Sequence, residues 1–367
     1  MLNPLDILKI FKKNNIDFFT GVPDSVIKSL STELEKKNSK NHIISTNEGS
    51  AVGIGIGYHL MNGKIPCIYM QNSGLGNAIN PLISIAHKNV YSIPLLLLIG
   101  WRGAPNQKDE PQHELKGKIT LDLLKLLNIK YLILNNKNDL KKIKNIIKFS
   151  KKKSVPVAIL IKKDILKPIK KKLNKGEKNY ILRNEFIELF LNKIDKNSKL
   201  ISTTGYTSRE LNQVRKNKKF NKGKDFYMVG GMGHSATVAL GCSLLTKKQT
   251  ICLDGDGSLL MHLGSLRTIG AFSRKNFKHI LFNNNSHESV GGQKTFADGI
   301  NFENLTKSLG YKKYFQLNNK KYLNQVVNRF LKSNGPSFLE VKISTGSLED
   351  LSRPKKLYSI KKFFMSN

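Results

Sequence analysis

Two α/β domains, each a parallel sheet wrapped by helices, are what this 367-residue sequence predicts. Short apolar runs alternate with helical patterns twice over, and the lysine-rich stretch KKDILKPIKKKLNKGEKNY separates the two series. The length suffices for two cores of ordinary size. The expected organisation is a first domain over 1–165, a linker over 166–182 and a second domain over 183–367.

The opening segment, PLDILKIFKK, spaces Leu5, Leu8 and Phe11 as one face of an amphipathic helix. It lacks the apolar core and cleavage site of a signal peptide. Strands follow at 17–20, 42–46, 65–70, 93–100, 130–134 and 155–161. SIPLLLLIG reads as a strand buried on both faces and falls well short of the roughly 18 apolar residues a membrane span needs. The second series has strands at 200–203, 226–229, 250–253, 279–282 and 337–343. Residues 135–180 and 310–335 are lysine-rich and show little pattern.

Formal net charge is +36, from 62 Lys+Arg against 26 Asp+Glu, which raises nucleic acid as a partner. The lysines are scattered beside asparagine and isoleucine along the whole chain, without clustered aromatics, so a compositional bias explains them better. A basic field still attracts an anionic substrate. Cys67, Cys242 and Cys252 each lie in an apolar segment with no CxxC spacing, and are expected to be buried, reduced thiols of a cytoplasmic protein.

The chemistry begins at QTICLDGDGSLLMHLGSL. Asp256 follows a buried parallel strand, at the edge where open α/β sheets bind ligands. Gly255 and Gly257 permit a tight turn with exposed N–H groups, and a helix expected from about Leu260 points its positive end there. A carboxylate beside an anion cradle requires a cation between them, and Mg2+ takes such hard oxygen ligands. An EF-hand fails because Leu259 and Ser265 occupy positions that need glycine and an acid. A phosphatase turn with Asp254 as nucleophile wants a further acidic pair, where the chain has NNNSH. A plain connecting turn is the third reading. Asn284 stands 28 residues after Asp256, at the end of the next expected strand, so one βαβ unit brings both to the same sheet edge.

This Gly-Asp-Gly, with Asn-Asn some 28 residues on, resembles the motif of thiamine-diphosphate enzymes. The resemblance implies Asp256, Asn284 and the Ser286 carbonyl as Mg2+ ligands, with Gly257 and Ser258 cradling the diphosphate. It implies Glu48, in STNEGSAVGIGIGYHL, as the carboxyl that assists the aminopyrimidine, before a glycine-rich helix that leaves it poorly solvated. In DFYMVGGMGHSATVALG it implies Gly230 and Met232 as contacts of the bent cofactor, and in STTGYTSREL it implies Gly205, Tyr206 and Thr207.

Most decarboxylases of this superfamily carry a central third domain, for which the chain has no room. GVPDS, YMQNSGLGNAINPL, KDEPQHELKGKIT and HESVGGQKT are similar to the two-domain phosphonopyruvate and sulfopyruvate decarboxylases. That resemblance implies decarboxylation of a 2-oxo acid, phosphonopyruvate, to phosphonoacetaldehyde in phosphonate biosynthesis; sulfopyruvate is the alternative substrate. Asp24 and His113 become the proton-transfer candidates. Asn72, Ser73, Gly74, Arg102, His113, His287 and Arg353 become substrate contacts, and His287 and Glu288 lie on a lid hinged at Gly291 and Gly292. The superfamily shares each cofactor between chains, which implies at least a homodimer. The glycine that often follows the metal-binding asparagine is Asn285 here, for which a left-handed backbone is expected.

Overall fold

A computed structural model describes residues 1–38, 40–169 and 179–366. The chain divides into two compact units, Met1–Lys172 with His287–Gln293, and Leu173–Ser286 with Lys294–Asn367.

The first unit runs α1 (Pro4–Lys13), β1 (Phe19–Gly21), α2 (Lys28–Leu34), β2 (His42–Ile44), α3 (Glu48–Asn62), β3 (Cys67–Gln71), α4 (Leu75–Pro81), β4 (Leu96–Trp101), α5 (Pro111–Leu126), β5 (Lys130–Leu134), α6 (Leu140–Lys153) and β6 (Val157–Lys162). Its strands pair in parallel in the order β2-β1-β3-β4-β6-β5. Every residue of β4 is buried, as a strand covered on both faces requires. The strand starts at Leu96 rather than residue 93, because Pro94 brings no N–H to a ladder.

The second unit runs α7 (Arg183–Lys193), β7 (Lys199–Ser202), α8 (Tyr206–Lys218), β8 (Lys224–Tyr227), α9 (Ser235–Leu244), β9 (Thr250–Gly255), α10 (Asp256–Met261), α11 (Ser265–Phe272), β10 (Phe277–Asn283), α12 (Phe302–Ser308), β11 (Lys313–Leu317), α13 (Leu323–Lys332), β12 (Ser337–Lys342) and α14 (Leu357–Met365). The parallel order is β11-β12-β10-β9-β7-β8.

In each sheet the chain changes direction after its second strand and again at its last. The first sheet grows from β1 outward to β2 and then on the other side to β3; the second grows from β7 to β8 and then to β9. Crevices at the carboxyl ends of such strand pairs are where open α/β sheets take ligands.

Several expectations are corrected. The apolar face of α1 is Pro4, Ile7 and Phe11, while Leu5 is 42% exposed. The helix after Asp256 begins at Asp256 itself and breaks at His262 before α11. The edge strand β11 was not expected from the sequence. Cys242 is half-buried, whereas Cys67 and Cys252 are buried, and all three are free thiols. Residues 170–178 of the expected linker lie outside the described residues. Its flanks are tied down, since Leu166 bridges Leu2 and Ile181 bridges Ile343. Residues 287–293, expected within the second domain, belong to the first unit. No helix among the described residues is long and apolar enough to cross a membrane.

Candidate active site

At the switch point of the first sheet, Asp24 follows β1 and is 1% exposed. Its Oδ2 accepts from the N–H of Val26 at 3.0 Å and of Ile27 at 3.4 Å, and its Oδ1 accepts from Gln71 Nε2 at 2.6 Å. Burial pushes the carboxyl above its ordinary value, against the Gln71 hydrogen bond and the charge of Arg102. The opposing wall is Gly100 on β4, where a Cβ would overlap Asp24 Oδ2. Ser73 Oγ donates to Gln71 Oε1 at 3.0 Å, which fixes which end of the Gln71 amide faces Asp24.

Glu48 opens α3. Asn47 caps that helix by accepting from Ser50 N–H at 2.8 Å, so the chain turns sharply and the Glu48 side chain goes inward, 5% exposed. Asn77 Nδ2, from α4, donates to Glu48 Oε2 at 2.8 Å. A Cβ at Gly74 would overlap the Glu48 carboxylate, so only glycine leaves it room.

The other first-unit candidates have defined partners. Asn72 Nδ2 donates to the Arg102 carbonyl and to Thr120 Oγ1, both at 2.9 Å, and its Oδ1 accepts from Arg102 N–H at 3.1 Å. Its amide therefore ties β3 to β4 and α5. Arg102 is buried; its Nε donates to Asp109 Oδ2 at 2.7 Å, its Nη2 to Asp109 Oδ1, and its Nη1 to Ser25 Oγ at 3.2 Å. Burial alone would raise the Asp109 carboxyl, but Arg102 and the N–H groups of Glu110 and Gly103 hold it well below the usual range. His113 is buried in the first turn of α5. His287 and Glu288 are buried as well; the His287 carbonyl accepts from the N–H of Val290 and Gly292, and burial pulls the His287 imidazole down to about 4.

In the second unit, Asp256 is 4% exposed after β9. Its Oδ1 accepts from Gly257 N–H at 2.8 Å; its Oδ2 accepts from Thr295 Oγ1 at 2.9 Å and Ser286 N–H at 3.2 Å. Burial pushes this carboxyl up to about 6. The same Ser286 N–H donates to Asn284 Oδ1 at 3.2 Å, so one backbone amide gathers both oxygens at the carboxyl ends of β9 and β10. The turn is held by Asn285, left-handed at φ 53° as expected, whose Oδ1 accepts from Ala297 N–H at 3.0 Å.

Ser258 joins three loops of this edge: its hydroxyl pairs with Thr203 Oγ1 at 2.8 Å and accepts from Gly233 N–H at 3.1 Å. Gly205, at φ 90°, turns β7 into α8; the guanidinium groups of Arg183 and Arg209 each stand 5.9 Å from the Tyr206 ring centroid, and Thr207 is buried. Gly230 and Met232 are half-buried in the loop before α9, and Gly257 is buried in α10. Arg353 is half-buried in the C-terminal tail. Asp254 Oδ1 accepts from Gly255 N–H at 2.9 Å, while its Oδ2 lies 3.5 Å from His279 Nε2 in the core, beside Cys252. Gln71, Asn77, Asp109 and Thr295 are site residues that sequence reasoning passed over. All four stand inside stretches already singled out, but only a fold reveals their partners.

Each unit thus gathers buried carboxylates and backbone donors at the switch point of its own parallel sheet, the arrangement of a two-domain α/β enzyme. Residues 6–126 match the N-terminal TPP binding domain of thiamine pyrophosphate enzymes, and residues 203–341 match the C-terminal TPP binding domain. The chain is 31% identical over 372 residues to a phosphonopyruvate decarboxylase of Streptomyces viridochromogenes, covering 97% of this chain and 92% of that one. A phosphonopyruvate decarboxylase of Streptomyces hygroscopicus is also 31% identical, with 97% and 91% covered. A sulfopyruvate decarboxylase of Methanosarcina acetivorans is 29% identical over 398 residues, with 99% and 100% covered. The chain belongs to the thiamine pyrophosphate enzymes, and within them to the thiamine-diphosphate-dependent decarboxylases.

Proposed function

We propose that the chain decarboxylates 3-phosphonopyruvate to phosphonoacetaldehyde and carbon dioxide, with thiamine diphosphate held through Mg2+. One geometric observation carries the metal: the Ser286 N–H draws Asp256 Oδ2 and Asn284 Oδ1 together at the carboxyl ends of β9 and β10. Among the described residues the hydrogen-bond partners of Asp256 are Gly257, Ser286 and Thr295, none of them cationic, and the charge of Arg183 also acts on it. A buried carboxylate and carboxamide so placed form a hard-oxygen donor set that fits Mg2+. The substrate reading is supported by the nearly full-length similarity to phosphonopyruvate decarboxylases.

Thiamine diphosphate, when bound, supplies the nucleophilic carbon and the electron sink for loss of carbon dioxide. Asp256, Asn284 and the Ser286 carbonyl hold the metal, and Gly257 and Ser258 face the diphosphate. Gly205, Tyr206, Thr207, Gly230 and Met232 line the same edge. Glu48 shares a proton with the pyrimidine through Oε1, because Asn77 anchors Oε2. Asp24, pushed toward its protonated form by burial, is the proton donor to the product carbon, and His113 is the second proton-transfer group. Arg102 and Arg353 serve the phosphonate, and the turn at Ser73 and Gly74 serves the carboxylate, with His287 as a neutral contact. Since the Asn72 amide is committed to Arg102 and Thr120, its part is to hold that turn.

The chain acts as at least a homodimer, a reading supported by the exposed apolar side chains Leu60, Met61, Leu115, Ile119 and Leu126. The test of the reaction is 31P NMR of the protein with phosphonopyruvate, thiamine diphosphate and Mg2+. Phosphonoacetaldehyde should form, and chelation of the metal should stop it; undiminished turnover without metal would remove the metal from the scheme.

A further inference from the structure

We propose a second ligand site on the first unit, for a small organic anion with an apolar body, at the sheet edge opposite the candidate active site. A cavity of about 360 Å³ opens among the turns that precede β4, β5 and β6, within the size range of small-molecule sites. Asp24, Asn72 and Arg102 follow their strands, and Gln71 ends β3. β4 alone is six residues long, which at the rise of a strand separates the two edges by about 20 Å.

The floor is apolar: Leu82, Ile129, Phe149 and Pro156 line it. The rim is basic, with His87, Lys88, Lys130 and Lys153, and no Asp or Glu lines the cavity. Lys130 Nζ stands 4.4 Å from the Phe149 ring centroid, so a cation already lies over the aromatic surface that an apolar ligand would cover. An anion with an apolar body satisfies both features, whereas a neutral apolar ligand leaves the cations unmatched and an inorganic anion leaves the floor uncovered.

The walls are built in advance. Ser92 Oγ donates to the Ser154 carbonyl at 2.8 Å, fastening two of the three turns to each other. The N–H groups of Tyr91, Ile93 and Ile129 close these turns on the carbonyls of Ile85, Ala86 and Leu124. A pocket held this way binds without ordering a loop.

The probe is naphthalene-2-sulfonate, titrated calorimetrically into the full-length protein, with the neutral naphthalene-2-sulfonamide as its control. One saturable site per chain is expected, and the sulfonamide should bind about tenfold more weakly. Val155→Trp, which fills the cavity from its half-buried rim, and the double variant Lys130→Glu/Lys153→Glu should each weaken the sulfonate by about tenfold or more while leaving decarboxylation unchanged. Absence of a saturable site, equal affinity for the sulfonamide, or indifference to both variants would overturn the proposal. So would self-association that Val155→Trp abolishes, which would assign the cavity to a second copy of the chain.

Discussion

Gln71 Nε2 donates to Asp24 Oδ1 at 2.6 Å across two neighbouring strand ends, inside a wall completed by Gly100. Asp24 is raised by burial, and such a carboxyl stabilises the fold fully below its ordinary value of 3.8 and loses that contribution as pH rises through its shifted value. Asp24→Asn removes the loss. Its NH2 meets a donor on either side, a cost that does not vary with pH, so its melting temperature relative to that of the wild type should rise by on the order of a few degrees from about pH 4 to neutral pH. Decarboxylation in the same variant should fall by about 10²-fold or more. Scanning calorimetry across that pH range checks the first part; a gap independent of pH would separate Asp24 from the titration.

Gly74 makes room for the Glu48 carboxylate, and Asn77 orients it. Glu48→Gln should lower kcat by about 10² to 10⁴-fold with cofactor affinity largely kept. Gly74→Ala should displace the carboxylate without removing it and lower kcat by about 10²-fold. Steady-state kinetics with cofactor titration distinguishes them from a folding defect, which would lower cofactor binding in both.

Thr295 Oγ1 donates to Asp256 Oδ2 at 2.9 Å from 39 residues along the chain. Hydrogen bonds to a metal-ligating carboxylate fix its orientation, and their loss typically costs about 10 to 100-fold in metal affinity. Thr295→Val should therefore raise the Mg2+ concentration needed for cofactor binding by that factor, with maximal activity restored at saturating metal. Fluorescence titration of cofactor binding against Mg2+ reads this directly.

Arg102 is gripped by both oxygens of Asp109. Arg102→Lys keeps the charge but not the planar fork. KM for phosphonopyruvate should rise by about tenfold or more, the worth of one charge-assisted hydrogen bond, with a smaller change in kcat. An unchanged KM would confine Arg102 to a structural pairing.

Both sheets were legible because their central strands are buried on two faces and read as continuous apolar runs, β4 above all. β11 was not: it is an edge strand whose Lys313 and Gln316 are exposed, and its sequence offers only a weak alternation. The start of α10 was misplaced because Gly257 disfavours a helix interior, yet the chain turns helical directly after the extended Gly255. Asp256 and Asn284 could be singled out because each ends an apolar run one βαβ unit apart, whereas Glu48 and Asp24 came with the resemblance to thiamine-diphosphate enzymes. Gln71, Asn77 and Thr295 could not, since their partners stand 47, 29 and 39 residues away and local sequence does not encode such contacts. The pairing of Arg102 with Asp109, seven residues on in the interior, is likewise set by the fold and not by local sequence.

The central claim is the reaction and its substrate, and steady-state kinetics on phosphonopyruvate and sulfopyruvate in parallel tests it most directly. The account predicts a kcat/KM for phosphonopyruvate at least about tenfold above that for sulfopyruvate, with phosphonoacetaldehyde as product. Equal or greater efficiency with sulfopyruvate would contradict it.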